Sequence, residues 1–241
     1  MRFAMRWALL SVLAATLAPL PGFAQQTKPA HDAVTPVPRG GSWMTRHEAM
    51  NKRVAQGNVD LVFIGDSITQ GWEGNGKQVW EEYYGDRNAV NLGIGGDRTQ
   101  HVIWRLDNGN LEGISPDLAV IMIGTNNSRS NKPEEIADGV EQIIEQLKTK
   151  TPETEILLLG IFPRGATPED PLRQVNEKTN QMISKFADGQ QVHYLDIGKE
   201  FLGEDGSLSK EIMPDLLHLS PQGYEIWAKS IEPKVKELLA Q

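Results

Sequence analysis

Among the residues able to do covalent chemistry, Ser67 has the most suggestive address. It stands in Gly65-Asp66-Ser67-Ile68-Thr69, directly after the apolar run Val59 to Ile64, where a strand should turn into a helix. The glycine lets the backbone bend tightly, and a serine opening the next helix can present its hydroxyl and its own N–H to a substrate. On that tripeptide alone, helix capping is the better explanation. A hydroxyl becomes a nucleophile only when a base takes its proton, so the decision passes to the five histidines. His31 falls in a Pro-rich stretch, His47 near the start of the domain, His101 in an apparent helix from Thr99 to Leu106, and His193 at the head of the apolar segment Val192 to Leu195. His218 differs from these in following a carboxylate, Asp215, by three positions. In a helical or tightly turned segment, residues three apart share a face. Asp215 can therefore take the Nδ1–H of His218 and leave Nε2 for Ser67. Taken alone, the Asp-x-x-His pattern is better explained as a weak surface pair.

Acyl transfer also needs donors aimed at a developing oxyanion. Asn91-Leu92-Gly93-Ile94-Gly95-Gly96-Asp97 follows a short strand, and its glycines let the N–H of Gly96 approach a reacting centre. Gly124-Thr125-Asn126-Asn127 follows the apolar run Leu118 to Ile123 and offers the side-chain N–H of Asn126. In isolation these read as an ordinary glycine turn and an Asx turn. A nucleotide phosphate site does not fit, since the Rossmann spacing and a Walker lysine are both missing.

The elements that must hold these loops are legible as periodicity. Val59 to Ile64, Leu118 to Ile123 and Ile156 to Ile161 are near-continuous apolar runs, as strands covered on both faces of a parallel sheet require. A helix begins at Pro133 and carries Ile136, Val140, Ile143, Ile144 and Leu147 on one face; a second spans Pro171 to about Phe186; a last one follows Ser220-Pro221, with Ser220 as its N-cap. Strands alternating with such helices predict a three-layer α/β domain with a mainly parallel sheet, whose crevice lies at the carboxyl ends of the strands.

Residues 1–24 read as a signal peptide: Arg2 and Arg6 precede the apolar run Trp7 to Leu20, and Gly22 and Ala24 form a cleavage site after Ala24. Pro19 and Pro21 interrupt the run, which is too short for a membrane span. Residues 25–42 read as a solvated Pro-rich linker, and residues 43–241 as one domain. The expected location is therefore periplasmic or secreted. The formal charge is −8, and loss of Arg2 and Arg6 makes it more negative still, which argues against nucleic acid or an anionic membrane as partner. The absence of cysteine excludes disulfides, a thiolate nucleophile and Cys-based zinc sites.

In the order Gly-Asp-Ser, Gly-Gly-Asp, Gly-Thr-Asn and Asp-x-x-His, four modest motifs together resemble the conserved blocks of the SGNH/GDSL hydrolases, and within them the catalytic-subunit type of platelet-activating-factor acetylhydrolase Ib. The matching stretches include Val62 to Ser67, Gly93 to Asp97, Thr99 to Leu106, Gly124 to Asn127, Pro163-Arg164-Gly165 and Leu217 to Ser220. The resemblance implies a flavodoxin-like α/β/α sandwich of about five strands, Ser67 as nucleophile, Asp215 and His218 as its triad partners, and an oxyanion hole from the N–H groups of Ser67 and Gly96 with the Asn126 side chain. It implies no metal and no cofactor. Asp66 and Asp97 are read as supports of their loops. The animal enzymes of this type are intracellular, whereas this chain carries an export signal. The expectation is therefore a serine esterase for short, acetyl-like esters on a carbohydrate or other small extracytoplasmic substrate. Ile68, Thr125 and Leu217, adjacent to three of these positions, are the candidate walls of an acyl pocket. The alternatives are a secreted lysophospholipase, thioesterase or platelet-activating-factor-type lipid esterase on the same residues, and a non-catalytic carbohydrate-binding module on the same fold.

Overall fold

The computed structural model describes residues 31–240, so the signal-peptide reading of residues 1–24 and the first part of the linker lie outside the described residues. Five parallel strands, β1 (Leu61–Gly65), β2 (Ala89–Gly93), β3 (Leu118–Met122), β4 (Glu155–Leu159) and β5 (Val192–Leu195), form one sheet in the order β2-β1-β3-β4-β5. The central strands β1 and β3 are buried along their whole length, which is why their sequences run apolar without alternation.

Side-chain alternation divides the core in two. Val62 and Ile64 of β1 face a cluster completed by helices α1 (Ser42–Val54), α4 (Thr99–Asp107), α5 (Pro133–Lys150) and α6 (Pro171–Ile183). Leu61 and Phe63 face the opposite cluster, with Ile68 of α2 (Ser67–Gln70), Tyr84 of α3 (Lys77–Tyr84), and Tyr224 and Trp227 of α7 (Pro221–Leu239). Three layers result. The chain leaves β1 toward β2 on one side and later crosses to β3 on the other, so the direction in which strands are added reverses between β1 and β3. Such a reversal opens a crevice at the carboxyl ends of the two strands. The loops carrying Ser67 and Asn126 leave the sheet there.

Several expected boundaries shift by a few residues. The strand predicted to reach Ile161 ends at Leu159, because Ile161 gives its N–H to Asn180 Oδ1 (2.8 Å) and takes Asn180 Nδ2 on its carbonyl (2.9 Å) instead of continuing the ladder. The segment Asp32–Gly41 lies in the stretch expected to be solvated linker; residues 35–38, 40 and 41 are exposed, but single contacts tie the segment to the domain as a strap. Ala33 is fully buried and its carbonyl accepts Thr99 Oγ1 at 2.7 Å; Asp32 Oδ1 accepts Asn131 Nδ2 at 2.5 Å. Gly139 of α5 permits this approach, since a Cβ there would lie 2.8 Å from the Ala33 oxygen. The strap has no apolar period because it is held by single contacts rather than by a face.

Candidate active site

Ser67 is the first residue of α2, and Asp66 caps that helix, accepting the Ile68 N–H on Oδ1 at 2.9 Å. The capping role proposed for Ser67 is thus filled by its neighbour. The Ser67 hydroxyl turns instead to His218, with Oγ 2.8 Å from Nε2. On the other side of the ring, Nδ1 lies 2.7 Å from Asp215 Oδ2. Asp215 Oδ1 accepts the backbone N–H groups of His218 (2.7 Å) and Leu217 (3.1 Å), which fixes the carboxylate against the ring. Partial burial opposes ionisation of Asp215, but the hydrogen bonds from the His218 ring and backbone outweigh it and hold its carboxyl below the usual range. With Nδ1–H committed to Asp215, the Nε2 lone pair faces the serine.

The turn that makes this spacing work is not helical. Leu216 sits at φ 61°, its N–H on Met213 O (2.8 Å) and its carbonyl taking the Gly165 N–H (3.0 Å), and α7 starts just beyond with Ser220 Oγ accepting the Gly223 N–H (3.2 Å). The Pro163-Arg164-Gly165 block therefore buttresses the histidine loop. Arg164 itself is buried and gives Nη1 to the carbonyl (3.1 Å) and hydroxyl (3.2 Å) of Thr125. Both donations fix the loop that carries Asn126.

Asn126 Nδ2 donates to the Asp97 carbonyl at 2.9 Å and stands 3.4 Å from Asp66 Oδ2. The first bond orients the amide; the second is weak enough to leave one N–H for a ligand. Gly96 adopts φ 76°, open to glycine at no steric cost, and its N–H has no partner among the described residues. Asp97 holds the loop from beneath: Oδ1 accepts Trp43 Nε1 (2.6 Å) and Oδ2 accepts Arg105 Nε (2.9 Å), and Arg105 reaches Gly65 O at 3.3 Å. Burial pushes the Asp97 carboxyl upward, and Arg105 with the Trp43 N–H pulls it back. Asp66, fully buried, is pushed to about 7 by desolvation, against the pull of the Ile68 N–H, with Asp97 adding to the rise. Both aspartates act as the loop supports their motifs suggested.

The residues expected to form an acyl pocket behave differently from one another. Ile68 and Thr125 are each 1% exposed, one packed in the core and the other tied by Arg164 and Asn176, whereas Leu217 is only half-buried. A groove of about 570 Å³ beside β2 is lined by Met50, Trp72, Trp80 and Val90, and it contains none of Ser67, Gly96, Asn126 or His218. The remaining histidines have structural partners: His31 with Asp138 (3.3 Å), His47 with Asn51 (3.1 Å) and Asn110 (3.3 Å), His101 with the Arg98 N–H (3.0 Å), and His193 with Glu155 (2.7 Å). Sequence reasoning missed Arg39, Gln70 and Arg105, which brace the glycine loop. Arg105 carried a usable signal, a cation eight residues beyond Asp97 among apolar helix positions.

Residues 63–226, which span nearly all of this machinery, match the model of the GDSL-like lipase/acylhydrolase family. The chain belongs to this family. It is 39% identical over 203 residues to platelet-activating factor acetylhydrolase IB subunit alpha2 of Rattus norvegicus, covering 83% of this chain and 86% of the relative. To subunit alpha1 of Homo sapiens it is 36% identical over 202 residues, with the same coverages of 83% and 86%. Its fold is shared by a carbohydrate acetylesterase from Sinorhizobium meliloti, at TM-score 0.61 and 19% identity over 75% of this chain and 99% of that one. As a GDSL-family protein it is a carboxylic ester hydrolase, which displaces the reading as a non-catalytic binding module.

Proposed function

We propose that this GDSL-family protein hydrolyses short-chain, acetyl-type esters of a carbohydrate or other small extracytoplasmic substrate through a covalent acyl-enzyme on Ser67. The observation that carries the mechanism is the unbroken chain from Asp215 Oδ2 through His218 to Ser67 Oγ, with links of 2.7 and 2.8 Å. Ser67 Oγ attacks the ester carbonyl as its proton passes to His218 Nε2, and Asp215 stabilises the imidazolium. The N–H groups of Ser67 and Gly96 and the Asn126 amide hold the oxyanion. His218 then protonates the departing alcohol; water, deprotonated by the same histidine, releases the acid and restores Ser67. Of the three candidate acyl-pocket residues, half-buried Leu217 has surface to offer an acyl group, while Ile68 and Thr125 are buried behind the site.

The export reading rests on Arg2, Arg6, the apolar run after them and Ala24. A second reading, a lipid-type ester in place of a sugar one, is favoured by the 39% identity to a platelet-activating factor acetylhydrolase subunit. Purified protein assayed on acetyl, butyryl and octanoyl p-nitrophenyl esters, then on acetylated xylo-oligosaccharides and acetylated lysolipids, separates the two. Acetyl preference with sugar turnover is expected, abolished in Ser67→Ala. Octanoyl preference or turnover confined to lipids overturns the substrate proposal.

A further inference from the structure

We propose that Arg39, delivered by the Asp32–Gly41 strap, is a positioning residue for the oxyanion-binding loop; the inference rests on the reading of the Gly96 N–H as an oxyanion donor. Arg39 Nη1 donates to the Gly95 carbonyl at 2.8 Å. That carbonyl and the Gly96 N–H are the two ends of one peptide unit, and the peptide is trans, so the C=O and N–H bonds point in opposite directions. Holding the oxygen on the strap side aims the hydrogen away from the strap. Gln70 Oε1 accepts the Gly95 N–H at 2.7 Å, so the preceding peptide is pinned as well.

A glycine pair needs such pinning because either residue can change φ sign at little cost. The guanidinium adds a second effect: a cation on the carbonyl polarises the amide and strengthens its N–H as a donor. Arg39 is not the counter-ion on which Asp97 depends. It stands 3.5 Å from Asp97 Oδ1 with its side chain 38% exposed, whereas Arg105 makes the fully buried 2.9 Å pair. The guanidinium instead covers the loop, and a Cβ on Gly96 would come 3.1 Å from Nη1.

The test compares Arg39→Ala, Arg39→Lys, Arg98→Met and Ser67→Ala in the full chain. Arg98 meets the same strap at Asp32, 3.8 Å away, without touching the Gly95 peptide, and so controls for charge and docking. With p-nitrophenyl acetate, Arg39→Ala should lower kcat by about 10- to 100-fold, short of losing an oxyanion donor outright. KM should stay within about threefold, the split for a contact made in the transition state. Affinity for a boronic acid that forms a tetrahedral adduct should fall in step with kcat, millimolar guanidinium should restore part of the rate, and Arg39→Lys should lie between. Arg98→Met should match the wild type. A wild-type kcat in Arg39→Ala, or a loss matched by Arg98→Met with no guanidinium rescue and unchanged boronate affinity, overturns the role of Arg39. Turnover surviving Ser67→Ala overturns instead the acyl-enzyme reading from which the oxyanion role of the Gly96 N–H follows.

Discussion

At Ser67 the hydroxyl is free for chemistry because the residue before it takes the helix cap. The sequence contains both Asp66 and Ser67 as competent caps, and nothing in their types decides between them; the backbone at the end of β1 does. The spacing of Asp215 and His218 allowed their contact without arguing for it, and the family resemblance singled them out, whereas the left-handed Leu216 that shapes the turn left no sign. Asn126 retains one weakly engaged N–H, so Asn126→Ala should lower kcat by about 10²–10³ with a modest change in KM, measured on p-nitrophenyl acetate. A change in KM alone would count against an oxyanion role. Asp66 makes a different prediction. Its carboxyl keeps its proton to about 7 when folded and loses it near 3.8 when unfolded, so the unfolded chain binds fewer protons in between. Stability relative to Asp66→Asn should therefore decline as pH climbs from 4 toward neutrality and level off above it. Melting temperatures of the two proteins across that range check this, and parallel curves would refute it.

The strands and the long helices were readable because each buries a whole face, which imposes a period on its sequence. Helices α1 and α3 were not: α1 opens on Gly41 with no side-chain cap to mark its start, and α3 is a short stretch in which only Tyr84 is fully buried. The strap escaped for the same reason, since Ala33, Asp32 and Arg39 make isolated specific contacts and no repeat. Between elements, Arg105 does most of the tying: from α4 it reaches Asp97 after β2, Asn110 beyond the helix and Gly65 at the end of β1. Arg105→Met would strand the buried Asp97 carboxylate and should cost about 3–5 kcal/mol, read from urea unfolding. The same variant should lose turnover under conditions where it remains folded, because the loops bearing Ser67 and Gly96 lose their common anchor. Full activity in a folded Arg105→Met protein would show that the loops hold themselves.

Taken whole, the molecule places the proposed nucleophile, Ser67, after the first strand and the proposed base, His218, ahead of the last helix, 151 residues apart in sequence, on a sheet whose order brings β1 and β3 side by side. The class of fold followed from alternating strands and helices; the direction reversal between β1 and β3 did not, because strand order leaves no trace in local periodicity. If export is correct, protein recovered from outside the cytoplasm should begin at Gln25, a mass measurement that an intact Met1 would contradict. That start leaves only six residues before His31, where the chain is already engaged with Asp138. The separation of Ser67 from His218 also bears on biosynthesis. A chain still emerging from the ribosome holds the nucleophile long before it holds the base. Turnover on the proposed mechanism is therefore a report of completed synthesis and docking of the final helix, and, if the chain is exported unfolded, esterase activity would arise only after it refolds on the far side of the membrane.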